Sequence, residues 1–122
     1  MESWTVRESH GARYRLMINH GGQSYWCMFD YLVSPTPGNG QTEIELSADA
    51  DAVSIKWFPH LRNGMLRGLV EERERGRELV GTRIEVQKVY EHSVDTTARG
   101  CETYGFNFVI DLMSGKAVPV VA

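Results

Sequence analysis

A histidine and an aspartate three positions apart, His92 and Asp95, carry the residue types for acid–base work in the stretch Tyr90-Glu91-His92-Ser93-Val94-Asp95-Thr96-Thr97. No nucleophile accompanies them in sequence, so catalysis is not expected of the pair. What remains is contact: an imidazole that donates to a phosphate, stacks on an unpaired base, or stands as a plain loop histidine. Asp95, Thr96 and Thr97 precede a helix-like segment, and they also have two readings. They can cap its N-terminus, or its unpaired N–H groups can take an anion, with Arg99 one turn in as a charged donor. Capping is the simpler of the two.

A second polar stretch, His20-Gly21-Gly22-Gln23-Ser24-Tyr25-Trp26, contains two adjacent glycines that suit a tight reversal. Tyr25 and Trp26 are stacking surfaces of the kind used for single-stranded bases. Neighbouring strand positions point to opposite faces, so at most one of the two is expected outside. His10 and His20 are far from His92 in sequence, and no spacing marks a metal site.

The elements that would position these residues are legible from periodicity. Trp4 to Val6 and Ala12 to Ile18 read as strands, with Tyr14, Leu16 and Ile18 alternating with Arg13, Arg15 and Met17. Tyr25 to Ser34 reads as a buried strand that Pro35-Thr36-Pro37-Gly38-Asn39-Gly40 ends. Gln41 to Leu46 alternates again, and Ser47 to Ala52 is a small acidic loop. A helix is expected to start between Lys56 and His60 and to run to about Arg75, with Gly76 as its stop. Its apolar stripe is Phe58, Leu61, Met65 and Leu69 with Leu66 and Val70. Gly64 and Gly68 lie within it, each lowering helix propensity by about 1 kcal/mol against alanine. The strand Thr82 to Tyr90 follows, with Ile84, Val86 and Lys88 on one face. From Thr96 to Met113 both periods fit, and the cap-like start at Asp95-Thr96 favours a helix. Ala117 to Ala122 is an extended tail. Strands first, then helix, strand and helix, suggest an α+β fold, an open two-layer α/β sandwich with both helices on one side of the sheet.

The 122 residues are expected to form a single domain, 1–122, able to bury about two-thirds of the surface of its unfolded chain. A formal charge of −3, with 42% hydrophobic and 24% charged residues, is that of an ordinary globule. It argues against coating nucleic acid by bulk electrostatics, and no DNA partner is expected. Seven of the thirteen Lys and Arg residues fall between Arg62 and Lys88, interleaved with five acids from Glu71 to Glu85, as on a solvated helix face. No apolar run approaches the roughly 20 residues of a membrane span, and Met1-Glu2-Ser3 opens no signal-peptide pattern. Cys27 and Cys101 show no CxxC spacing, and a reduced buried pair fits the cytoplasm. Neither GxxxxGK[ST] nor GxGxxG occurs, so no nucleotide cofactor is expected.

Four stretches together carry a resemblance to a known family. Gly21-Gly22-Gln23-Ser24-Tyr25-Trp26 is similar to GGRGQY, with Pro35 at the family's distance and Pro37-Gly38 after it. Trp57-Phe58-Pro59-His60-Leu61-Arg62-Asn63-Gly64 resembles Y-I-P-x-V-x-x-G. His92-Ser93-Val94-Asp95-Thr96-Thr97 resembles H-x-V-D-S-S, and Lys116-Ala117-Val118-Pro119-Val120-Val121 resembles K-A-x-P-V-L. In this order, over essentially the whole chain, they resemble domain IV of the translational GTPases, and most closely that of elongation factor G. Departures fall in the first loop, where Gln23 and Ser24 replace an arginine and a glycine, and at Ala98, where the family often has a glutamate.

The resemblance implies the ribosomal protein S5 domain 2-like fold, βββαβα with a left-handed βαβ crossover, and supports the helix at Thr96 to Met113. It further implies that His20 to Tyr25 and His92, Ser93, Asp95, Thr96, Thr97 and Arg99 form one tip that contacts RNA or the ribosome. With no GTPase motif in the chain, hydrolysis by this segment alone is not expected. The alternative is a module for protein contact or self-association, left with a surface that partner domains would otherwise cover.

Overall fold

Phe29 to Pro35 lies at the centre of the main sheet, and its neighbours follow from which of its faces is apolar. The computed structural model describes residues 1–15, 18–20, 23–25, 27–92 and 94–120, the backbone alone for 18–20 and 23–25. In chain order the elements are β1 (Glu2–Thr5), β2 (His10–Tyr14), β3 (Ile18–His20), β4 (Gln23–Tyr25), β5 (Phe29–Pro35), β6 (Glu43–Leu46), α1 (Ala52–Glu74), β7 (Arg77–Leu79), β8 (Thr82–Val89), α2 (Ala98–Gly115) and β9 (Val118–Pro119).

The main sheet has the order β2-β5-β8-β6. β2 and β8 run antiparallel to β5, while β6 and β8 run parallel, joined through α1. Phe29 and Val33 from β5, and Ile84, Val86 and Val89 from β8, are buried against Leu61 and Met65 of α1 and Tyr104, Phe108 and Val109 of α2. Removing each large side chain of this set from water contributes about 1.5–3 kcal/mol. Both helices thus cover one face, and the fold is the expected α+β two-layer sandwich.

Several expectations change in detail. The helix α1 starts at Ala52, earlier than expected, because Asp51 caps it: its side chain accepts from the Ser54 N–H at 2.9 Å. Pro59 therefore sits inside the helix and not at its start. Gly76, at φ 89, follows the C-cap Arg75 as the expected stop. The run expected as one strand from Tyr25 to Ser34 is two, β4 and β5, with a break before Phe29.

Lys88 does not share a face with Ile84 and Val86. Tyr31 pairs with Val86 but Asp30 pairs with Lys88, leaving Gln87 as an extra residue. This β-bulge reverses the alternation, burying Val89 and exposing Lys88. From Ala98 to Gly115 the chain is helical, as the cap-like start and the family resemblance favoured.

A second sheet, β7-β1-β9, pairs Trp4 with Leu79 in parallel and with Pro119 in antiparallel register. Strand β7 had no counterpart in the periodicity. Glu72, buried near the end of α1, accepts from Arg77 at 2.7 and 3.0 Å and ties this sheet to the helix.

Candidate functional site: the tip of the sheet

Antiparallel pairing of β5 with β8 places whatever precedes Phe29 beside whatever follows Val89. The β3–β4 hairpin and the stretch from Tyr90 to Thr97 therefore leave the sheet at one end, and the Tyr90 N–H donates to the Met28 carbonyl at 2.9 Å. The hairpin pairs His20 with Gln23, Asn19 with Ser24 and Ile18 with Tyr25, and β4 lies against α2. Gly21, Gly22, Trp26 and Ser93 lie outside the described residues. Backbone geometry thus brings His20, Gln23, Ser24 and Tyr25 to the end of the sheet that carries His92.

His92, Asp95 and Thr96 are tied to one another by hydrogen bonds. The His92 carbonyl accepts from the N–H groups of Asp95 and Thr96 at 3.1 and 3.0 Å, and the Thr96 hydroxyl accepts from the His92 N–H at 2.8 Å. The His92 Nδ1 lies 3.0 Å from Asp95 Oδ2. Thr97 is the N-cap of α2, its hydroxyl accepting from the Gly100 N–H at 3.0 Å. The three residues in sequence thus do three jobs. Thr97 caps, Thr96 accepts from His92 with its side chain buried, and Asp95 orients His92 instead of capping. His92 and Arg99 present exposed side chains beside these residues.

Around it sit groups that periodicity did not single out. Glu91 accepts from the Trp57 indole N–H at 2.6 Å and from Lys56 at 3.4 Å, which docks the first turns of α1 to the tip. The indole hydrogen bond holds the Glu91 carboxyl below its ordinary range, against a smaller opposing effect of desolvation. Arg13 donates to Asp30 Oδ1 at 2.9 Å and to the Tyr90 hydroxyl at 2.6 Å, and that hydroxyl donates to Asp30 Oδ2 at 2.7 Å. Burial pushes the Asp30 carboxyl up, but the hydrogen bonds from Arg13 and Tyr90 outweigh it and hold it low. The alternation of Arg13 and Arg15 with Tyr14 was the one sequence signal for this cluster. Its partners come from strands 17 and 77 residues away.

Among the described residues no group of three or more His, Cys, Asp or Glu side chains converges as metal ligands do. No helix among them is long and apolar enough to cross a membrane.

No protein-family model matches the chain, and no curated protein does. Among solved structures, the crystal structure of the Thermus thermophilus protein ttk003000868 superposes with a TM-score of 0.62 at 13% sequence identity, over 85% of this chain. The match spans 15% of that protein's length. At this identity the likeness is one of fold, and the α+β two-layer sandwich found here is also a part of the larger Thermus chain.

Proposed function

We propose that this chain is a translation-factor domain IV-like module that contacts RNA, most directly ribosomal RNA, through the two loops at the end of its sheet, and that it works in the cytoplasm by contact and not by catalysis. One observation carries the reading. His92, Asp95 and Thr96, in the stretch that resembles H-x-V-D-S-S, are bonded to one another at the same end as the β3–β4 hairpin, which bears the other family-like motif. His92, already bonded to Asp95 and Thr96, is held in place before any contact, which favours binding. The test is co-sedimentation with ribosomes over a salt series. Pelleting at low salt that falls several-fold in His92→Ala and Arg99→Ala is expected, and absence of pelleting at low salt overturns the proposal.

A second reading, contact with another protein, is favoured by a groove of about 190 Å³ farther along α1, where Leu66, Leu69, Val70 and Leu79 are flanked by Gln41, Thr42, Arg73 and Glu78. Val70 is 50% and Leu66 37% exposed. Light scattering after size exclusion tests self-association through it, and a clean monomer at high concentration counts against that form.

A further inference from the structure

Among the described residues, the face of the main sheet turned away from the helices is exposed or half-buried, and its charges are sorted by row. Register across the strands aligns Arg13, Asp30 and Lys88 in the row nearest the tip. The next row aligns Gly11, Leu32, Glu85 and Glu45, and the one beyond aligns Ser34, Arg83 and Glu43. In the two farther rows the acids dominate, and Arg83 is held by Glu45 and Glu85. In the tip row the balance reverses. Arg13 and Lys88 both face Asp30, whose two oxygens are engaged by Arg13 and the Tyr90 hydroxyl, and Asp51 also lies within electrostatic reach of Lys88.

That arrangement gathers positive charge at an aromatic ring. The Arg13 guanidinium carbon stands 4.5 Å from the centroid of the Tyr90 ring, and the Lys88 ammonium 5.1 Å from it. Arg13 is 52% exposed, Lys88 is exposed, and no ion pair holds Lys88 among the described residues. The exposed Arg15 follows two residues after Arg13. Lys88 is on this face only because of the bulge at Gln87; without it the side chain would point toward the helices.

We propose that this row is a docking site for the backbone of a single-stranded RNA running from the tip onto the open face of the sheet. Arg13 and Lys88 neutralise phosphates, Tyr90 supplies the aromatic surface between them, and Asp30 is a positioning residue that orients Arg13 and Tyr90. Charge complementarity selects a polyanion, and the aromatic ring between the cations selects a nucleic acid over an acidic peptide. The inference rests on the reading of the tip as an RNA contact, and it extends that contact to residues in the sheet.

The test is fluorescence anisotropy of a labelled single-stranded RNA of about 12 nucleotides, matched to the span of small single-strand sites, across a salt series. Lys88→Gln, which alters no hydrogen bond among the described residues, and Arg13→Gln are each expected to weaken binding about 5–10-fold and to reduce the salt slope by about 1. Asp30→Asn, which weakens the hold on Arg13 and Tyr90 without removing a cation, is expected to weaken binding less than the cation variants and to leave the salt slope unchanged, and an unchanged affinity overturns its positioning role. Thermal melts confirm that each variant folds. If both cation variants bind like the wild type while His92→Ala and Arg99→Ala weaken, the sheet site is overturned and the tip reading stands. If only the cation variants weaken binding, the contact to Arg13 and Lys88 is supported, while the tip reading and the path from the tip are overturned. Absence of binding to RNA at low salt overturns both. Polyglutamate competing as well as RNA at equal charge overturns the assignment to nucleic acid.

Discussion

Gly64 on α1 lies so close to Glu102 on α2 that a Cβ added to it would stand 2.0 Å from the Glu102 carbonyl oxygen. The approach is mutual, since a Cβ on Gly105 would stand 2.2 Å from the Leu61 carbonyl oxygen. Gly68 continues it toward Phe106 and Val109, so the two helices run side by side in the same direction with backbones nearly touching. The propensity lost at these glycines is offset by contact that no larger residue allows.

Gly64→Ala and Gly105→Ala are therefore each expected to lower stability by about 3 kcal/mol, since backbone has to move and not a flexible side chain. That corresponds to a fall in Tm of roughly 10 °C, measured by thermal melting. Gly115→Ala, where a Cβ meets nothing within 4 Å, is the control and is expected to shift Tm very little.

The tip turn separates two residues that look interchangeable as caps. Thr97→Ala removes the acceptor of the Gly100 N–H and is expected to cost about 1 kcal/mol. Asp95→Ala removes an exposed contact to His92 and is expected to stay within about 0.5 kcal/mol. Chemical denaturation of both variants checks this. An equal loss from the two would mean that Asp95 is the cap after all.

Ser54 is buried and links two elements, its hydroxyl donating to Asp51 Oδ1 at 2.6 Å while accepting from the Val89 N–H at 2.8 Å. Ser54→Ala strands that buried N–H and is expected to cost about 2 kcal/mol in urea unfolding.

Acid should act through the same network. The Ser54 hydroxyl and backbone N–H hold the Asp51 carboxyl below its ordinary value of 3.8, and Asp30 is held low as well. A folded-state value below the unfolded one gives stability that is present above the ordinary value. It is lost as pH falls through the depressed one. Tm is expected to drop as pH falls below about 4, and more gently in Asp51→Asn than in the wild type.

Cys27 and Cys101 are both fully buried, and the Cys27 thiol is pushed up by its hydrogen bond with Cys101 and by burial. Neither is expected to react with a thiol reagent at about pH 8 in the folded protein, and both are expected to react once it is unfolded. Native-state labelling of either would contradict the packing.

Features that depend on near neighbours were legible along the chain. The inward Leu61, Met65 and Leu69 of the α1 stripe, the stop at Gly76 and the threonine-rich start of α2 rest on contacts within a few residues and are found. Leu66 and Val70 of that stripe stand exposed, and the strand expected from Ala12 to Ile18 ends at Tyr14. Tertiary structure decided what depends on strangers in the chain. Strand β7 exists because Trp4 and Leu79 pair across 75 positions, shown by their register, and three residues of pattern announce nothing. Lys88 changed faces because one bulged residue inverts every alternation after it. Among three polar neighbours, Thr97 became the cap and Asp95 the partner of His92 because of where β8 delivers the chain and where α2 can pack. The glycines, costly to α1 when read alone, are what lets the helices meet.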